Sequence, residues 1–277
     1  MKNKCLYYIL PLIITCLTAC AQGKSIKQEV SNDTVALAKI SLKDTVNYAP
    51  NDSINWKIMA NVEISYPAQY RDKEKTESLQ KLFSGKVLEV ATDSITLASA
   101  FPVYVKNLIG RYEGEAAENS EAEADYEPVA ECSIEAKVSA VYNKNGIACF
   151  EASEISTYDN EYYTYRGYFY TVNLASLKLV DISDIFGEEE LMHISDLLKM
   201  QLQIDSGAKN EDELVELGFF NIDNVRVNNN FRIGNNGITW NYLPGELSVV
   251  EQIEITLDYD ILRDYILENS IVSKLID

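Results

Sequence analysis

The tightest constraint on the fold is a period-two alternation in the middle of the chain. Ala130, Cys132, Ile134, Ala136, Val138, Ala140 and Tyr142 recur at every second position among mainly polar neighbours. A helix would spread these side chains around its circumference, whereas a strand places all of them on one face. The run ends at Lys144-Asn145-Gly146, which reads as a three-residue hairpin loop with Gly146 in the left-handed region. Pairing Tyr142 with Ala148 sets Phe150 opposite Ala140 and Ala152 opposite Val138, so the apolar faces stay together. In this register Cys132 and Cys149 fall on opposite faces and several pairs apart, and both thiols are expected to pack unpaired.

Other elements follow from the same kind of pattern. Trp56, Ile58, Ala60, Val62 and Ile64 alternate as a half-buried strand that Pro67 closes. Leu79, Leu82, Phe83, Val87 and Val90 recur at helical spacing, with Gly85 a weak point, and a second helix is expected from Asp93 to about Tyr112, kinked or divided by Pro102. The acid-rich stretch Glu113 to Glu127 reads as a solvated loop or frayed helix end. Strands are expected over Tyr163 to Leu174, Leu177 to Ile182, Ile238 to Tyr242 and Ile253 to Tyr259. Helices are expected over Glu188 to Ile204, near Glu211 to Leu217, and through Ile261, Leu262, Tyr265 and Ile266. This order predicts an α+β domain over 52–277, an antiparallel sheet with helices packed on one face.

The N-terminus carries an address. Lys2 and Lys4 precede an apolar run from Cys5 to Ala19. At about 15 residues the run is shorter than the roughly 20 that a spanning helix needs, and it reads as a signal peptide over 1–19. Leu17-Thr18-Ala19-Cys20 resembles a bacterial lipobox, which implies cleavage before Cys20, acylation of that cysteine and a stable membrane anchor. An ordinary secretory cleavage around Ala19 to Ala21 would instead leave Cys20 a free thiol. Ala21-Gln22-Gly23-Lys24-Ser25 lack the acids of a surface-export signal, so the expected location is the cell envelope, on the outer membrane facing the periplasm. Residues 20–51 are polar and without sustained periodicity, as in a flexible tether. Asp33-Thr34-Val35, Asp44-Thr45-Val46 and Asp52-Ser53-Ile54 resemble the O-glycosylation sequon of Bacteroides-type bacteria, making Thr34, Thr45 and Ser53 candidate sugar sites; polar tethers are also rich in such residues for no other reason.

Charge narrows the function. The 277 residues carry 43 acidic and 24 basic side chains, a formal charge of -19, and loss of residues 1–19 would remove two lysines and no acid. Such a surface repels a phosphate backbone, which excludes nucleic acid as a partner, and steers basic ones. His193 is the single histidine, on a helix with no acid and nucleophile at recognisable spacing, and reads as a surface or boundary residue. No nucleophile elbow, zinc-protease motif, phosphate loop or calcium loop is present, so no catalytic residue, cofactor or metal ligand is assigned.

Aromatic density is the remaining signal. Tyr158, Tyr162, Tyr163, Tyr165, Tyr168, Phe169 and Tyr170 crowd one segment. Exposed, they would offer stacking area to a glycan or protein; buried, they would be ordinary sheet aromatics.

The C-terminal half resembles a known domain. Lys178, Val180, Ile182, Asp184 and Phe186 match one signature of the RsiV-like extracytoplasmic domain, and Asn230, Phe231, Gly237, Ile238, Trp240, Tyr242, Pro244 and Glu246 match a second. The resemblance is clearest over 162–267. That family is a domain of unknown function shared by a lysozyme-sensing anti-sigma factor, some peptidoglycan deacetylases and many lipoproteins. Tyr162, Tyr163, Tyr165, Tyr168 and Tyr170, from their density, and Pro244 and Glu246, from the second signature, make the candidate ligand surface. The loop of the second signature serves either ligand or packing and does not carry the partner's identity over. Its His-containing segment is replaced here by Arg166-Gly167-Tyr168-Phe169-Tyr170, and Gly245, Val249 and Val250 replace three residues of the second signature. Two functions are expected from these features: an acidic, non-catalytic envelope module that captures a lysozyme-like basic protein or an envelope polymer, or else an enzyme or enzyme accessory acting on peptidoglycan or another glycan.

Overall fold

A computed structural model describes residues 33–51, 54–91, 96–122, 131–159 and 162–276. The expected alternations organise a six-stranded sheet. In order across it run β1 (Ala36–Asn51), β2 (Ile54–Gln69), β3 (Glu131–Lys144), β4 (Ile147–Tyr158), β5 (Tyr162–Asn173) and β6 (Lys178–Leu179). All neighbours are antiparallel except β2 and β3, which are parallel. Between those two the chain crosses over through α1 (Lys73–Lys86) and α2 (Leu97–Ala122), as a parallel pair requires. The antiparallel expectation is corrected at that one pair.

The β3–β4 hairpin pairs Val138 with Ala152 and Ala140 with Phe150, as expected. Nearer the turn it departs, with Tyr142 opposite Cys149 and a bulge after Ala140. Asn145 and Gly146 have φ of 55° and 74°. Positive φ at both centre residues makes the tight two-residue turn that matches strand twist, so Lys144 pairs with Ile147 and the bulge absorbs the slip.

The tether over 20–51 is corrected for its second half, because 36–51 form β1. Ile40, Leu42, Val46 and Tyr48 pack against the core while Lys39, Ser41, Lys43 and Thr45 face solvent. Asp44 interrupts the apolar row, which hides the alternation. Just before it, Val35 is buried, its N–H donating to Asn143 Oδ1 (2.9 Å) and its C=O accepting from Asn143 Nδ2 (2.8 Å). Strand β2 also runs two residues past Pro67, which is tolerated where β1 and β2 shift register between Ala36 and Leu37. Pro102 lies inside α2 without dividing it, and the helix continues through the acid-rich stretch to Ala122.

Two cores use opposite faces of the sheet. Helices α1 and α2 cover one face, where Trp56, Val62, Leu79, Phe83, Leu108, Cys132, Ala148 and Phe150 share a cluster. Phe83 meets Phe150 edge to face with ring centroids 5.1 Å apart, worth about 0.5–1.5 kcal/mol beyond area burial. Ile147 and Cys149, one residue out of phase, point the other way. There they meet a second layer made of α3 (Leu191–Ser206), α4 (Glu211–Glu216), β7 (Phe231–Ile233), β8 (Gly237–Tyr242), β9 (Ile253–Asp258) and α5 (Tyr259–Leu262). Strands β7, β8 and β9 form their own antiparallel sheet. The α+β class therefore holds, with helices on both sides of the larger sheet's span.

Cys132 and Cys149 are unpaired and buried, one in each core. Burial pushes the Cys132 thiol up to about 12 and the Cys149 thiol up to about 11, so both stay protonated and unreactive.

Candidate ligand surface at the open edge of β5

β5 is the last long strand of its sheet, and β6 pairs only with Val172 and Asn173. Further along, side chains close the edge. Asn230 Oδ1 accepts from Phe169 N–H (2.8 Å), and Asn230 Nδ2 donates to Gly167 C=O (3.1 Å), as one residue of a neighbouring strand would. Asn241 Nδ2 adds a second bond to the same carbonyl (2.7 Å), and Thr171 C=O accepts from Val180 N–H (2.8 Å). Residues 167, 169 and 171 thus turn their backbone away from β4. By strand alternation Tyr165 does the same, and among the described residues none bonds its outward N–H or C=O.

A cleft of about 340 Å³ runs beside that open stretch. Tyr165, Arg166 and Tyr168 line it from β5, and Leu243, Pro244 and Val250 line it from the loop after β8. The loop is locally braced. Glu246 accepts from Leu243 N–H, Gly245 takes a φ of 90° and donates to Ser248 C=O (2.7 Å), and Leu247 is buried with its C=O bonded by Phe220 N–H (3.0 Å). With Leu247 plugged in, Val249 and Val250 stand out, 72% and 60% exposed. Tyr168 is 43% exposed. Gly167 is required here: a Cβ would meet the Tyr165 ring and hydroxyl at 2.7 Å and run into Gln252 Oε1.

The surroundings are acidic. On the Tyr165 side, burial and the nearby Glu254 charge hold the Glu151 carboxyl above its ordinary value, although Arg232 bridges to Glu254 at 3.1 Å. Burial and Glu151 likewise raise the Tyr165 hydroxyl. On the other face Arg166 lies 3.5 Å from Glu115, which also accepts from Tyr158 OH (2.8 Å), and Arg111 forks onto Glu154 (3.1 and 2.9 Å). These pairs tie α2 to the sheet, and among the described residues that line the cleft Arg166 is the cation.

The expected site residues therefore divide. Tyr165, Tyr168 and Pro244 come together, although Tyr168 and Pro244 are 76 positions apart in the chain. Glu246 is exposed but serves as a turn brace. Tyr170 packs against the helix-covered core, and burial pushes its hydroxyl up to about 12. Tyr162 and Tyr163 open β5 opposite Tyr158 and Thr157; their side chains lie outside the described set, as do Cys20 and Ser53. Thr45 is exposed on the solvent side of β1, and Thr34 is half-buried beside the anchored Val35. His193 is exposed on α3. Most signature residues belong to the second core: Phe231, Ile238, Trp240 and Tyr242 are buried, and Gly237 lets β8 approach the Leu257 carbonyl. Sequence reasoning missed Gly167, Asn241 and Gln252. The run Asn228-Asn229-Asn230 was the visible signal that polar side chains would stand in for a strand there.

No family model and no curated protein matches the chain. Solved structures do share its fold. A DUF3298 family member from Bacteroides fragilis superposes with a TM-score of 0.68 at 16% identity, covering 88% of this chain and 98% of that one. A DUF3298 family protein from Pseudomonas aeruginosa gives 0.55 at 12% identity, covering 86% and 97%. The fold is thus that of a DUF3298-type domain of unknown function. Among the described residues no helix is long and apolar enough to cross a membrane, and no three His, Cys, Asp or Glu side chains converge to hold a metal ion.

Proposed function

We propose that this protein is an envelope module, anchored through lipid on Cys20 to the outer membrane and facing the periplasm, whose acidic, non-catalytic domain captures a basic protein of the lysozyme type. The observation that carries this reading is the convergence of Tyr165, Tyr168 and Pro244 with exposed Val250 on one cleft of a strongly acidic molecule. Aromatic and aliphatic side chains at the centre of such a cleft supply contact area, and the surrounding carboxylates steer a cationic partner. The resemblance to the RsiV-like domain, whose members include a lysozyme sensor, makes a lysozyme-type protein the sharpest version of this basic partner.

Calorimetry tests it. Full-length protein in mild detergent is titrated with a lysozyme and with a basic protein of unrelated fold, at low and physiological salt. The expected result is saturable one-to-one binding to lysozyme alone that survives physiological salt and weakens about tenfold in Tyr168→Ala. Equal, salt-sensitive binding to both proteins would reduce the interaction to bulk charge. No binding to either would reject the reading and redirect the search to envelope glycans.

A further inference from the structure

We propose that the open stretch of β5, residues 162–166, takes up an extended basic segment of the captured partner as an added strand. This rests on the capture reading above and specifies its geometry. Affinity in strand addition comes from backbone hydrogen bonds and selectivity from pockets that receive alternate side chains. Both are in place. Tyr165 turns its N–H and C=O outward, whereas two residues on, Gly167 and Phe169 are already satisfied by Asn230 and Asn241, which sets where an incoming strand must stop. Five residues of strand span about 17 Å, enough for a short added strand. The cleft between β5 and the Leu243–Val250 loop receives the side chains on one face of the incoming segment.

Charge selects the occupant. Glu151 and Glu254 lie beside Tyr165, with Glu254 bridged by Arg232 at 3.1 Å, Glu246 and Glu251 are exposed on the neighbouring loop, and Arg166, which also lines the cleft, is drawn to Glu115 at 3.5 Å. An incoming strand bearing lysine or arginine at alternate positions meets opposite charge there, and apolar residues between them meet Tyr168 and Val250. A second copy of this chain would bring its own carboxylates to the same edge, so pairing of two β5 edges is disfavoured. The other sheet edge does not compete for a basic segment, because β1 presents Lys39 and Lys43 to solvent.

The probe is a six-residue peptide alternating valine and lysine, added to full-length protein in detergent, with lysozyme titrated in parallel. Amide exchange at Tyr165 should slow about tenfold on saturation, and the same peptide N-methylated at alternate residues should bind about tenfold more weakly, because it has lost donors the edge needs. Tyr165→Pro removes the outward donor together with the ring, without touching the β4 ladder, and should weaken peptide and lysozyme more than Tyr165→Ala, which removes the ring alone. Unchanged binding of the N-methylated peptide, or protection appearing on β1 instead of β5, overturns strand addition. If lysozyme binds Tyr165→Pro and Tyr165→Ala equally and the peptide does not bind, strand addition fails and the capture reading survives. If neither ligand binds, both fail.

Discussion

The two edges of the large sheet are managed in opposite ways. β1 is 16 residues long, and it exposes Lys39 and Lys43 along its solvent side, with Lys39 2.8 Å from Glu63 on the neighbouring strand. Lysines on an edge make docking of another strand costly, because their charge must be buried or matched. β5 has no lysine. Half of it is closed by β6 and by the Asn230 and Asn241 carboxamides, and the other half opens onto a cleft lined by Tyr165, Arg166, Tyr168, Leu243, Pro244 and Val250 in an acidic setting. One edge carries lysines along its solvent side, and the other is closed over half its length by the protein's own side chains.

The largest effect should come from opening the closed half of β5. Asn230→Leu leaves the Phe169 N–H without its acceptor in a partly buried place, which costs about 2–3 kcal/mol. A lowered urea midpoint at unchanged slope would show it. Asn230→Asp keeps the acceptor but loses the bond to Gly167 C=O, and should recover part of the loss.

Alkaline pH should come next. Burial holds Tyr170 on β5 and Tyr104 on α2 up to about 12, against an ordinary value of 10. Their protons stay on in the folded chain and leave the unfolded one first. Their contribution is therefore complete below pH 10 and declines as pH rises from 10 towards 12, by about 1 kcal/mol per tyrosine at pH 11. Denaturant midpoints followed alongside tyrosinate absorbance between pH 8 and 11 check this, and Tyr170→Phe should remove part of the slope.

The smallest change in stability, within about 0.5 kcal/mol, is expected for the double substitution Lys39→Thr with Lys43→Thr, since both side chains are exposed. Its consequence should be self-association through the undefended β1 edge, seen as a concentration-dependent rise in sedimentation coefficient. A protein that stays monomeric after this change would show that the lysines do not set the contrast between the edges.

Strong alternation translated directly into structure. The rows Trp56 to Ile64 and Cys132 to Val138 are both core strands, and the Val138–Ala152 and Ala140–Phe150 pairs sit where the apolar pattern puts them. Near Asn145 the pattern misled by one residue, because the turn's positive φ angles, not the side-chain faces, decide loop length. β1 went unread because Asp44 breaks its row, and β7, at three residues, is too short to carry any period. The parallel pairing of β2 with β3 was invisible, since alternation encodes a face and not a direction.

The amino-acid sequence alone determined the strand faces, the separation of the two thiols and the acidic surface, because each depends on neighbours close in the chain or on composition. Only the tertiary structure decided which tyrosines meet Pro244 and Val250, that Gly167 must lack a side chain, and that two asparagines close half of β5 while leaving the rest open. Those outcomes depend on packing the β7–β9 sheet against β5, and contacts between residues about 60 to 80 positions apart arise from the summed fit of two cores, which no local periodicity records.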